Sequence, residues 1–319
     1  MKKILVTGAT GQIGSELTVA LRDRYGAENV IAAGYKTQPD EAFISSGPYC
    51  SMDVRDASAI EAIVDQYDID TIFHLAALLS AVAEQKPQLA WDINMNGLLN
   101  ILEIARNRNM AVFSPSSIGA FGPTTPAQDT PQDTIQRPNT MYGVTKVSGE
   151  LLCDYYYSRY GVDTRGVRFP GLISWKTMPG GGTTDYAVEI FYAAIKHQHY
   201  DCFLQADTRL DMMYMPDAIH AAISLMEAES DKLIHRNAFN VTAMSFTPQE
   251  LANEIKKIIP GFTISYVIDP VRQAIAESWP RNMDDSAARE EWGWKPEFDL
   301  NMTVKEMLLK LGNLCSIHE

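Results

Sequence analysis

Through the first half of the chain, short apolar runs alternate with amphipathic stretches, the pattern of a parallel sheet whose strands are joined by crossover helices. Runs at KILVTG (3 to 8), NVIAA (29 to 33), YCSMD (49 to 53), TIFHLA (71 to 76), AVFSPS (111 to 116) and DTRGVRF (163 to 169) predict strands. The spacing between them predicts helices near 11–25, 56–66, 84–107 and 140–160. The expected fold is α/β: a doubly wound parallel sheet of Rossmann type, with a smaller α/β substrate-binding region.

After RFPGLIS the alternation breaks down. PGGGTTDYAVEIFYAAI reads as a glycine loop followed by a helix capped by Thr, and TPQELANEIKKIIP as a helix started by Thr247 and Pro248. The expected division is a dinucleotide-binding unit over 1–172, to which about 211–242 returns through MPDAIHAAISLME, and a substrate-binding region over 173–210 and 243–319. Residues 119–139 are dense in Pro, Gly, Thr and Asp and predict a long loop of the kind that carries function.

Composition narrows the partners. With 319 residues and 46% hydrophobic content the chain can bury a sizeable core, and its net charge of −13 repels nucleic acid and anionic membrane. Cys50, Cys153, Cys202 and Cys315 form no C-x-x-C pair, which suggests neither zinc nor a disulfide framework and fits a reducing cytoplasm. The apolar run after MKK is too short for a signal peptide, and no stretch of about 18 apolar residues is long enough to span a membrane.

TGATGQIG puts Gly8, Gly11 and Gly14 directly after a strand and at the start of a helix. Glycines there let backbone N–H groups, with Gln12 and Ile13 among them, approach a pyrophosphate at the positive end of a helix. MYGVTK sets Tyr142 and Lys146 one turn apart on one helix face. A tyrosine is a poor base at neutral pH, but a neighbouring ammonium and a cationic nicotinamide both favour its phenolate. The same spacing recurs at Tyr192 and Lys196. Only Tyr142, however, follows the long loop and the sheet-edge sequence SPSSIGAFG, in which Ser117 is placed to hydrogen-bond a reacting oxygen.

Position at the carboxyl ends of strands adds Asp53, Val54, Leu75, Ala76, Ala77, Pro115, Ser116, Phe169 and Leu172 as cofactor candidates, with Asn94 on the following helix. Asp53 either accepts a bond from adenine or caps a helix. Gly182, Thr183 and Thr184 at a helix start suit a substrate carboxylate, or merely turn and cap. Ser80 lies just past a strand, and Trp279 beside Arg281 in SWPRN is a candidate substrate cover. Trp292 and Trp294 read as core of the smaller region, His74 as a packed strand end, and His197 with His199 as surface residues without a third metal ligand. No metal is expected.

Together these features resemble the extended short-chain dehydrogenase/reductase family, which includes the UDP-galactose 4-epimerase-like enzymes, over essentially the whole chain. AALLSA, SPSSIGAFG, MYGVTK, RFPGLIS, PGGGTTDYAVEI, DMMYM and SWPRNMDDSAAREEWGW resemble its L-threonine 3-dehydrogenase branch. The resemblance implies an oxidoreductase that converts L-threonine, a 3-hydroxy amino acid, to 2-amino-3-ketobutyrate with hydride transfer to NAD. Tyr142 would be the base, Lys146 its partner and the holder of the nicotinamide ribose, and Ser117 the substrate-orienting group. It also implies a homodimer pairing the helices that carry Leu98, Leu99, Leu102, Leu151, Leu152 and Tyr156. The rivals are a nucleotide-sugar epimerase or dehydratase of the same superfamily and a non-catalytic NAD(P)-sensing regulator.

One position departs from the family. Twenty residues after Gly14 the fingerprint expects the acid that binds the ribose 2′-hydroxyl, and Gly34 stands there instead. Gly34 is expected to leave room for a 2′-phosphate that Lys36 could pair with, so NADP stays open beside NAD. Alternatively, Lys36 is solvated and NAD binds through the glycine loop and Asp53.

Overall fold

The run KILVTG becomes β1 (Ile4–Thr7), buried at every residue, because a parallel sheet is covered by helices on both faces. In chain order the first half continues with α1 (Gln12–Tyr25), β2 (Val30–Gly34), α2 (Glu41–Ser45), β3 (Tyr49–Ser51), α3 (Ala57–Tyr67), β4 (Thr71–His74), α4 (Ser80–Gln85), α5 (Pro87–Trp91), α6 (Gly97–Arg108), β5 (Ala111–Phe113), β6 (Ser116–Ser117) and α7 (Met141–Tyr160). There follow β7 (Thr164–Arg165), β8 (Val167–Phe169), β9 (Gly171–Ile173), α8 (Tyr186–His197), β10 (His199–Cys202), β11 (Leu210–Tyr214), α9 (Met215–Glu227), β12 (Phe239–Asn240) and β13 (Met244–Phe246). The chain ends with α10 (Pro248–Ile258), β14 (Thr263–Tyr266), α11 (Pro270–Glu277), α12 (Ser286–Trp292) and α13 (Leu300–Ile317). This computed structural model describes residues 1–178, 180 and 182–317. Pro179 and Gly181 of the expected glycine loop, and the side chain of Cys315, lie outside the described residues.

The main sheet has the order β3-β2-β1-β4-β5-β7, and every pairing in it is parallel. The order reverses between β1 and β4, and a ligand crevice forms at the carboxyl ends of strands at such a switch point. Alternate residues feed two cores. Ile4, Val6, Val30, Ala32 and Phe73 pack with Leu17 and Leu21 of α1 and Ala218, Ala221 and Leu225 of α9. Leu5, Ile31, Ile72 and Val112 pack with α3, α6 and α7 through Ile60, Val64, Leu102 and Tyr156. A third cluster joins α8, α10 and α13 through Ile190, Phe191, Leu251, Ile255 and Met307.

Two expected strands each divide. The run 111–116 ends its main-sheet pairing at Phe113, and the run 163–169 ends it at Arg165. Ser116–Ser117 and Val167–Phe169 then pair with each other in a separate sheet, β12-β8-β6. Pro115 has no N–H to continue a ladder. Gly166 passes so close to the neighbouring strand that a Cβ would lie 2.3 Å from the Ser114 carbonyl oxygen. The pivot turns Ser117 away from the sheet axis and toward α7.

The expected helix 84–107 is also several pieces. Pro87 begins α5 at its first turn, and Asp92–Asn96 is a π-helical segment leading into α6. Leu98, Leu102 and Tyr156, expected at a dimer face, are instead 3%, 0% and 4% exposed in the core. Trp292 and Trp294 pack with the α1 and α9 face of the main sheet and not within the smaller region. The N-cap of α8 is Asp185, where a Thr was expected. Sequence reading missed α2, which Asp40 caps by accepting from the Phe43 N–H at 2.7 Å. In α10, Thr247 and Glu250 form a reciprocal capping box.

Asp211 on β11 ties the strand to the segment that carries Trp279. Its buried carboxyl accepts from the Thr242 hydroxyl at 2.5 Å and the Met283 N–H at 2.9 Å. Burial pushes its pKa up to about 8. A carboxyl raised in the folded state contributes stability that is fully present below the unfolded pKa, and that contribution is lost as pH rises through the folded one. Thermal unfolding from pH 4 to 9 should therefore show the Tm of Asp211→Asn gaining on wild type as pH rises toward about 8. Parallel Tm curves would contradict this assignment.

Candidate active site

The loop between β1 and α1 is a cradle that side chains would fill. Gly8 adopts φ +67°, and a Cβ there would lie 2.7 Å from the Ala76 amide nitrogen. A Cβ on Gly14 would lie 2.2 Å from the Gly8 carbonyl oxygen. Gly11 caps α1 without a side chain, so the first N–H groups of the helix face the crevice with the positive end of its dipole. The geometry fits a dinucleotide pyrophosphate.

Three residues of α7 at a spacing of four lash it to the segment that leaves the main sheet. The Tyr142 ring lies against Gly119, where a Cβ would be 3.2 Å from its Cδ1 and 3.5 Å from Ser117 Oγ. Lys146 Nζ donates to the Pro115 carbonyl at 2.7 Å and sits 5.4 Å from the centre of the Tyr142 ring. Glu150 accepts from the Ser116 hydroxyl, from Gln136 at 2.7 Å and from Arg168 at 2.9 and 3.1 Å. Ser117 Oγ accepts from the Gly119 N–H at 3.1 Å, which leaves its own proton free to donate outward.

A cavity of about 240 Å³ joins these groups to the glycine loop. Gly8, Gly11, Gln12, Ile13, Gly14, Leu75, Ala77, Pro115, Ser116, Phe169 and Leu172 line it, together with Ser117, Tyr142 and Lys146. Ser80, Gly182, Thr183, Thr184 and Trp279 line the same cavity. The sequence reading did not single out Leu79, Ile118, Gly171, Gly180 or Asp185 on that lining. Asp185 accepts from the Gly182 N–H at 2.6 Å and adds a carboxylate to the wall. An Asp directly before an apolar helical run is a start signal that would have found it.

Six of the expected cofactor residues do not line this cavity. Asn94, in the π segment, is occupied by the Leu78 backbone at 2.8 and 3.2 Å and by Thr145 at 3.1 Å, so it holds the loop after β4. Val54 is core, with Gly97 so close that a Cβ there would lie 2.8 Å from it. Asp53 lines a neighbouring groove with Tyr35, Arg55 and Asp92, and the Arg55 guanidinium holds its pKa below the usual carboxylate range. Ala76 lines a smaller cavity behind Lys146 with Asn94 and Glu150. Lys36 lies 5.9 Å from the ring of Tyr35. Beside Gly34 the backbone is not open as expected, because the Tyr49 hydroxyl lies 2.7 Å from where its Cβ would be.

His74 is buried and hydrogen-bonded to the Thr7 hydroxyl at 2.9 Å. Burial and the charge of Lys146 drive its pKa down to about 3, so it is neutral. The second Tyr-Lys pair is structural, Tyr192 donating to the Trp175 carbonyl at 3.3 Å from the α8 face of the C-terminal cluster. No group of three His, Cys, Asp or Glu that could hold a metal ion occurs among the described residues, and no helix there is long and apolar enough to cross a membrane.

Comparison with known proteins agrees with this geometry. Residues 4–242 match the NAD dependent epimerase/dehydratase family. An uncharacterized epimerase/dehydratase of Staphylococcus haemolyticus is 55% identical over 310 residues, covering 97% of each chain. Among solved structures, L-threonine dehydrogenase from Clostridium difficile is 59% identical with a TM-score of 0.97, covering 98% of both chains. The GalE-like L-threonine dehydrogenase from Cupriavidus necator, in its holo form, is 50% identical with a TM-score of 0.94, covering 97% of this chain and 99% of its own. On the sequence match and the glycine cradle, this chain belongs to the NAD dependent epimerase/dehydratase family.

Proposed function

We propose that the protein is an NAD(P)-dependent L-threonine 3-dehydrogenase that forms 2-amino-3-ketobutyrate. The observation that carries this is the single cavity in which the glycine cradle, the Ser117, Tyr142 and Lys146 group, and the Thr183, Thr184 and Trp279 wall meet. Two solved relatives of high identity, both L-threonine dehydrogenases, support the choice of substrate. Bound NAD(P) supplies the hydride acceptor.

Ser117 donates to the threonine hydroxyl oxygen and orients it. Tyr142 takes the hydroxyl proton as the C3–H electron pair departs as hydride and the C3–O bond becomes a carbonyl. Lys146, fixed by the Pro115 carbonyl, keeps a positive charge beside the tyrosine and retains N–H donors for the nicotinamide ribose. The substrate is taken by the 173–210 and 243–319 region. Its carboxylate meets Thr183 and Thr184 at the positive end of α8, its ammonium meets the Asp185 carboxylate, and Trp279, 8% exposed, closes the apolar side.

We also propose a homodimer. Val144, Leu151 and Tyr155 form one stripe on α7, 39%, 62% and 50% exposed, with Leu99 of α6 at 39%. A second copy of this chain would cover them, in a reducing compartment such as the cytoplasm, where Cys50, Cys153 and Cys202 stay as free thiols.

Reduced cofactor should appear at 340 nm when purified protein meets L-threonine and NAD or NADP. Tyr142→Phe should lower kcat by about 10²- to 10⁴-fold with little change in Tm. No turnover with either dinucleotide, for threonine or related 3-hydroxy amino acids, would contradict the proposal. Light scattering should give a two-chain mass for wild type and a one-chain mass for Leu151→Asp, whereas a one-chain mass for wild type would remove the dimer.

A further inference from the structure

The acid that the glycine fingerprint leads one to expect at the end of β2 is missing, and the space of its side chain is taken from another strand. A Cβ at residue 34 would lie 2.7 Å from the Tyr49 hydroxyl and 3.1 Å from both Oγ1 and Cγ2 of Thr10. Tyr49 pairs with Ala32 across the β2–β3 ladder. Residues 32 and 34 share a face because strand side chains alternate with period two, and an aromatic ring reaches a diagonal neighbour. The phenol therefore lies over Gly34, on the face where Thr10 of the glycine loop also stands.

The Tyr49 oxygen is buried and has no hydrogen-bond partner among the described residues. Buried hydroxyls are normally paired, and this one ends where a β2 carboxylate would otherwise meet the ribose of a dinucleotide. Burial raises its pKa, so it is a neutral donor and acceptor.

We propose that Tyr49, with Thr10 alongside, takes the adenosine ribose 2′ end of the cofactor in place of the β2 acid. The inference rests on the cofactor reading above. A neutral phenol bonds a 2′-hydroxyl without repelling a 2′-phosphate, so the chain accepts NAD and NADP with affinities within about tenfold of each other. It also follows that Gly34 and Tyr49 are a matched pair, because an acid at residue 34 collides with the phenol.

Calorimetric Kd values for NAD and NADP, taken without threonine and with Tm as the check on folding, test this on wild type, Tyr49→Phe, Gly34→Asp and the double variant. Tyr49→Phe should weaken NAD by about threefold to tenfold at nearly unchanged Tm. Gly34→Asp should weaken both dinucleotides. Adding Tyr49→Phe to it should restore NAD and leave NADP at least about tenfold weaker, through repulsion of the 2′-phosphate. An unchanged Kd for NAD in Tyr49→Phe overturns the proposal, as does a Gly34→Asp variant that favours NAD as strongly as the double variant does. Predicted Kd values in a chain that does not oxidise threonine would leave Tyr49 in place and remove the substrate assignment. Binding of neither dinucleotide removes both.

Discussion

The active-site geometry depends on one buried ion pair, Glu150 with Arg168, whose side chains are only 6% and 7% exposed. Glu150 comes from α7 and Arg168 from β8, and the same carboxylate takes the Ser116 hydroxyl of β6. A helix and two short strands that have left the main sheet are thus joined at one point. Removing either partner would strand a buried charge, a loss of about 3–5 kcal/mol, whereas the intact pair adds little net stability. Its value is positional: Ser117 follows Ser116, and Lys146 precedes Glu150 by one turn.

The rest of the molecule is arranged around that point. Gly166 and Pro115 let the chain step out of the main sheet, and α9 and β12 return to support the step from below. The step opens the carboxyl edge of β1 and β4 toward α8 and Trp279, so the glycine cradle shares one cavity with Thr183, Thr184 and Trp279. Asn94, in a π segment of the kind that often marks functional sites, pins the loop after β4, whose Leu75, Ala77 and Leu79 line the cavity.

Much of this was legible from residue order. The central strands read clearly because each is a continuous apolar run bounded by turns, and Gly8, Gly11 and Gly14 read because a pyrophosphate cradle demands that spacing. What was illegible depended on distance in space. The division of the runs 111–116 and 163–169 turns on the approach of Gly166 to Ser114, which no local pattern encodes. Leu98 and Leu102 of α6 and Tyr156 of α7 looked like surplus apolar residues until the two helices packed with α3 and the sheet in one core. Gly34 suggested open space, because the tyrosine that fills it comes from a neighbouring strand 15 residues later in the chain.

The central claim is that hydride leaves C3 of threonine while Tyr142 accepts the hydroxyl proton. The direct measurement is label transfer from L-threonine deuterated at C3, followed by mass analysis and proton NMR of the dinucleotide. The account predicts one deuterium at the nicotinamide C4 for each ketone formed. Loss of deuterium to solvent, or product formed with an unlabelled dinucleotide, would contradict it.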